Sequence, residues 1–230
     1  MKRFGLLMVV MLVLAAALAG SRTPANGQSA GLVSSVLNSM ERNRQNLKSL
    51  RSGISMEKYN SQLRDSEKFN GVVSYVPGAG REASVRIEWR SPQHEILTVT
   101  NGKFVLFRPR LNMAYVGSSK SKNNKAGGVM EMIYMSRAQL ESRFQPLQDV
   151  REETLWGNVS TIHLKLVPKG NASFKYAEIW VDSSGMPVQT KIVEKNDDAT
   201  TMRLTGLEKN AKISSDDFSQ KLDGVRIVKS

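Results

Sequence analysis

A chain of 230 residues is long enough for one domain with a real core, and 40% apolar against 23% charged residues excludes wholesale disorder. With no cysteine and only two histidines, the sequence excludes disulfides, thiolate metal sites and a cysteine nucleophile, and it leaves little for metal or acid–base chemistry. The formal net charge of +12 favours anionic surfaces, which bears on association and solubility and not on fold.

Residues 1–19 read as a secretory leader, with Lys2 and Arg3, an apolar run from Leu6 to Leu18, and Ala17-Leu18-Ala19 as a site for cleavage after Ala19. The run is short for a bilayer span, and a retained anchor is the alternative. Leu18-Ala19-Gly20 is similar to the start of a bacterial lipoprotein signal, but Ser21 stands where lipid attachment needs cysteine. Export argues against nucleic acid as the partner of so basic a chain. Residues 20–31 are polar, Gly- and Pro-containing, and read as a flexible lead-in, so that one folded domain is expected over 32–230.

Leu32, Val33, Val36, Leu37, Met40 and Leu47 fall on one face of a helix, with Glu41, Arg42, Arg44 and Lys48 on the other. Leu50, Ile54 and Met56 continue as a strand. After a polar interval from Asn60 to Lys68, Phe69, Gly71, Val73 and Tyr75 alternate along a second strand that Pro77 to Gly80 closes. An antiparallel meander follows. Val85, Ile87 and Trp89 alternate with Arg86 and Glu88, and Ser91-Pro92 breaks the run. Glu95 to Thr100 and Lys103 to Phe107 then flank Asn101-Gly102, a dipeptide suited to a type I′ turn.

Gly117 to Gly128, with Lys120, Lys122 and Lys125, reads as a mobile basic loop. Val129 to Met135 is almost wholly apolar and rich in methionine, and serves either as an adaptable contact surface or as core filling. Ser136 is placed to cap a helix over Arg137 to Phe144. Strands are expected at 154–156, 160–167, 174–182, 187–195, 200–207 and 225–228, with a helical turn at Ser214 to Phe218. About ten strands and two helical regions predict a large, curved antiparallel sheet with helices on one face.

The sequence holds no HExxH, no G-x-S-x-G and no phosphate-cradling glycine loop, and the pairs Glu152-Glu153 and Asp197-Asp198 point apart on extended backbone. An enzyme is the least supported class, and no cofactor or metal is expected. By elimination, a carrier of apolar ligands and a fully packed envelope protein both fit.

The order of Trp-Arg-Ser-Pro at 89–92, Val-Thr-Asn-Gly-Lys at 99–103, Phe-Arg-Pro at 107–109, Leu-Val-Pro-Lys at 166–169 and Trp-Val-Asp-Ser-Ser-Gly-Met-Pro-Val at 180–188 resembles the periplasmic outer-membrane lipoprotein carrier family, LolA. The resemblance runs from about Leu32 to the end of the sequence. It implies an incomplete antiparallel barrel of ten to eleven strands, mainly β, whose concave apolar face is covered by helices and shields acyl chains crossing the periplasm. It implies an acyl cavity at Leu37, Met40, Leu50, Ile54, Val73, Tyr75, Ile87, Trp89 and Leu106, and a lid at Met130, Ile133 and Tyr134. Acylated lipoproteins or other lipids are the implied cargo of a monomer. An inner-membrane lipoprotein-releasing ABC transporter and an outer-membrane acceptor lipoprotein are the implied partners. The family's latch arginine before a proline is replaced by Val76 before Pro77, with Arg81 the candidate substitute. A lipid- or lipoprotein-sensing regulator on the same fold is the alternative.

Overall fold

The computed structural model describes residues 26–78, 83–118 and 135–229. The leader expected at 1–19, Arg81 and the lid residues Met130, Ile133 and Tyr134 lie outside them. In chain order the elements are α1 (Asn26–Asn46), β1 (Leu50–Asn60), β2 (Asp65–Val76), β3 (Ser84–Ser91), β4 (Glu95–Thr100), β5 (Lys103–Arg108) and β6 (Met113–Ser118). They continue with α2 (Arg137–Arg143), β7 (Gln148–Leu155), β8 (Val159–Leu166), β9 (Phe174–Asp182), β10 (Pro187–Glu194), β11 (Ala199–Lys209) and β12 (Arg226–Lys229).

All strands join one open sheet of order β12-β6-β5-β4-β3-β2-β1-β11-β10-β9-β8-β7. Eleven of its twelve strands form the expected antiparallel half-barrel, and β12 adds a short parallel edge on β6. Asn101 and Gly102 both have positive φ, at 49° and 70°, as a type I′ turn between β4 and β5 requires. Several stretches differ from the sequence expectation: β6 takes in Gly117 and Ser118, expected in a loop, and β7 begins at Gln148, ahead of Thr154. The first helix begins at Asn26, ahead of Leu32, because its opening residues are polar and carry no apolar stripe for periodicity to detect. The polar interval Asn60 to Lys68 is mostly strand, an extension of the β1–β2 hairpin with Asn60 opposite Asp65. Solvent on both sides of that tip removes the alternation that marks a half-buried strand.

Two glycines fix close approaches. At Gly71 a Cβ would sit 2.2 Å from the Glu88 carbonyl oxygen, so only glycine lets β2 draw up to β3 at its bulge. Gly185 ends the β9–β10 turn at φ 81°, and a Cβ there would lie 2.1 Å from the Ser39 carbonyl oxygen of α1. The helix therefore lies directly on this turn.

Two apolar cores result. One holds α1 (Val36, Leu37, Met40), α2 (Leu140) and Phe144 just after it against β8 and β9 (Leu164, Leu166, Ile179, Val181). The second gathers Leu50, Ile54, Val73, Tyr75, Ile87, Trp89, Met202 and Leu204 from β1–β3 and β11. Ile192 touches both. Beyond β11 the chain crosses the outer face of the sheet as a strap. Ser214 caps a 3-10 turn over Ser215–Phe218, Phe218 is buried against β3 and β4, and Gln220 donates to the Ile96 and Val105 carbonyls and the Thr98 hydroxyl.

Candidate functional site

The register of β2 to β6 sets one row of side chains across the inner face: Val73, Ile87, Leu97, Leu106 and Tyr115, each opposite the next. Burial falls along it. Val73 and Ile87 are fully buried, whereas Leu97, Leu106 and Tyr115 are only half-buried, Leu97 still packing against the β1–β3 core. The adjacent row, Tyr75, Val85, Val99 and Phe104, behaves the same way. On β4–β6 the positions that are buried, Thr98 and Ala114, lie on the opposite face, under and beside the strap. The inner face of β4–β6 is therefore an apolar surface that the fold only partly fills.

The residues expected to line an acyl cavity divide in three. Leu50, Ile54, Val73, Tyr75, Ile87 and Trp89 meet in the core of β1–β3, where Trp89 makes an edge contact with Phe69 at 5.8 Å between ring centres. Leu37 and Met40 belong to the helix-backed core instead. Leu106 belongs to neither and stands in the half-exposed row. Leu97, Val99, Phe104 and Tyr115 share that surface and were missed, because Ile96 to Val99 and Phe104 to Phe107 are apolar at both parities. A period-2 reading cannot choose a face there.

Polar groups around this floor are tied into structure. Burial pushes the Tyr75 phenol up to about 12, with the Arg44 charge opposing, so it stays neutral at physiological pH. The Arg44 guanidinium holds the Glu41 carboxyl at about 2, and Glu41 also accepts from the Arg137 backbone N–H at 3.3 Å. Arg137 Nη1 donates to Asn38 at 2.8 Å. One carboxylate on α1 thus serves the first turn of α2, whose orphan N–H groups favour negative charge. Ser136 and Gln139 complete a capping box there, as the sequence reading of Ser136 anticipated.

Elsewhere the chemistry is sparse. His163 is fully buried beside Trp180, with Nε2 3.3 Å from Glu178 and Nδ1 3.7 Å from Asp149. His94 Nε2, in the β3–β4 turn, lies 3.4 Å from Glu88. Among the described residues no group of three or more His, Cys, Asp or Glu is placed to hold a metal ion. A cavity of about 340 Å³ between the strap and the outer face is lined by Arg51, Ser74, Arg86, Glu88 and Asp216 among others, which is unsuited to an alkyl chain.

The family model for the outer membrane lipoprotein carrier protein LolA matches residues 78–221. Among solved structures, a chain of the Pseudomonas aeruginosa MucA/MucB complex superposes with a TM-score of 0.51 at 13% identity, over 85% of this chain and 62% of that one. An uncharacterized conserved protein from Thermus thermophilus gives 0.53 at 10% identity, over 86% and 99%. The chain thus spans less than two thirds of the Pseudomonas protein, and at these identities the likeness is one of fold. No curated protein matches the sequence.

Proposed function

The chain belongs to the LolA family of outer membrane lipoprotein carrier proteins, and from that premise we propose that it is a periplasmic carrier that shields lipoprotein acyl chains on the concave face of its sheet. The observation that supports this most directly is the half-exposed apolar surface of Leu97, Val99, Phe104, Leu106 and Tyr115, continuous with a packed core through Val73 and Ile87. Acyl methylenes moved from water onto such a surface contribute about 0.8 kcal/mol each, so a few methylenes already outweigh a modest cost of rearrangement. In this reading the protein takes acylated cargo from an inner-membrane ABC transporter and gives it to an outer-membrane acceptor lipoprotein, works as a monomer, and sheds residues 1–19 on export. Met130, Ile133 and Tyr134 would close over the cargo.

Native mass spectrometry with lipid extraction, on protein purified without detergent from an exporting host, tests this. Bound acyl species are expected, and Leu97→Glu or Leu106→Glu should remove them while circular dichroism stays unchanged. A clean apo mass that does not shift on adding a triacylated peptide sinks the reading. A second reading, an envelope sensor that grips a protein partner, draws on the likeness to a chain of the MucA/MucB complex. Catalytic transfer of labelled lipoprotein from donor to acceptor membranes favours the carrier; stoichiometric retention favours the sensor.

A further inference from the structure

Five large apolar side chains stand exposed among the described residues: Tyr59, Leu63, Leu111, Trp156 and Ile227. The register places four of them at one end of the sheet. Tyr59 and Leu63 are on the β1–β2 tip, Leu111 is in the β5–β6 connection, and Ile227 is the second residue of β12 beside the start of β6. The β3–β4 turn, with Pro92 and Gln93 exposed, emerges between them. Trp156 is at the opposite end, on the β7–β8 hairpin, where Arg203 lies against its ring. Leu63 and Leu111 are 76% and 60% exposed, so no neighbour in the fold uses them.

The same end is edged with cations. Arg64, Arg90, Arg110 and Arg226 are exposed and outside every ion pair among the described residues. Several carboxylates there are engaged: Glu95 accepts from Arg108 at 2.7 Å, Asp197 pairs with Lys175 and Asp198 accepts from the Ser61 N–H, while Asp65, Glu67 and Asp223 are exposed. The tips carrying Leu63 and Leu111 are separated by about 20 Å across the sheet, at about 4.8 Å per strand. Isolated apolar tips at that separation, ringed by arginine, match a flat anionic surface into which single leucines dip.

We infer that this end of the sheet is a peripheral docking surface for an anionic lipid bilayer, with Leu63 and Leu111 as its apolar contacts and Arg64, Arg90, Arg110 and Arg226 as its charge. No helix among the described residues is long and apolar enough to cross a membrane. The surface is distinct from the inner-face site and does not depend on what that site binds.

The test is vesicle flotation of protein purified from an exporting host, using phosphatidylglycerol–phosphatidylethanolamine vesicles against pure phosphatidylcholine ones. Flotation with the anionic vesicles alone is expected. It should weaken with added salt and fall about tenfold or more in the double variant Leu63→Ser/Leu111→Ser, as the loss of two buried leucines implies. Trp156→Ser, at the far end, should float like the wild type, and thermal melts should show both variants folded. No flotation, equal flotation on phosphatidylcholine, an unaffected double variant, or an equal loss in Trp156→Ser each overturns the inference. Capture of an acidic protein with no vesicle binding does the same.

Discussion

The two wings of the sheet use the same alternating strands and end up packed differently. On β8 and β9 the inward residues Leu164, Leu166, Ala177, Ile179 and Val181 are fully buried, because α1 and α2 lie on them. On β4–β6 the inward residues stay only partly buried, as do the outward Ile96, Val105, Phe107 and Val116, and the fully buried positions are Thr98 and Ala114 on the outer side. One wing is a finished core. The other has its hydrophobic surface turned inward and its stabilising contact, the strap, on its back. An apolar surface can be left partly unfilled without unfolding the sheet only if something else holds its strands, and here Phe218 and Gln220 hold β3 to β5.

The sharpest way to break the comparison is matched truncation. Leu164→Ala should cost about 3 kcal/mol, within the usual range for a fully buried leucine, whereas Leu97→Ala should cost roughly 1 kcal/mol and instead weaken acyl binding. Urea melts of the two variants measure the difference; equal losses would mean that both wings are closed cores. Next in size is the seat of α1. Gly185→Ala places a Cβ against Ser39 at a positive φ and should cost about 2 kcal/mol, lowering the melting temperature and loosening the helix as read by hydrogen exchange over α1.

The strap sharpens the comparison from the other side. Gln220→Ala removes the contacts that its two Nε2 hydrogens share among three acceptors on β4 and β5 and should cost about 1 kcal/mol, with faster amide exchange in β4 and β5 and no change in β8 or β9. Smallest is the tie between the helices. Glu41 is held at about 2, below its ordinary 4.5, so its contribution is full above about pH 4.5 and is lost as pH falls through about 2. Because the group is partly exposed, the effect is at most about 1 kcal/mol. Glu41→Gln should flatten the slope of melting temperature against pH between 4.5 and 2, and an unchanged slope would remove this pair from the acid sensitivity.

Much of the sheet was readable from alternation and turn chemistry. Val85, Ile87 and Trp89 alternate with charges and indeed face inward together, and Asn101-Gly102 turns as its residues require. Ser136 caps α2 with the capping box that its spacing to Gln139 allows. Reading failed where the local signal was silent or doubled. The polar tip at Asn60 to Asp65 shows no apolar period, and Ile96 to Val99 and Phe104 to Phe107 show two. Of the residues expected to line a cavity, all but Leu106 are buried in one of the two cores. The surface with capacity to spare lies one to three strands further on.

The sequence by itself determined which segments extend, which turn, and that their apolar faces would seek a common side, because these follow from side-chain period and backbone preference within a few residues. Tertiary structure alone decided which apolar residues are used up and which remain available. That choice depends on what lies across the sheet: a helix seated on Gly185, or a strap arriving from more than a hundred residues later in the chain to bond Thr98. Burial is a property of neighbours in space, and no local period encodes them.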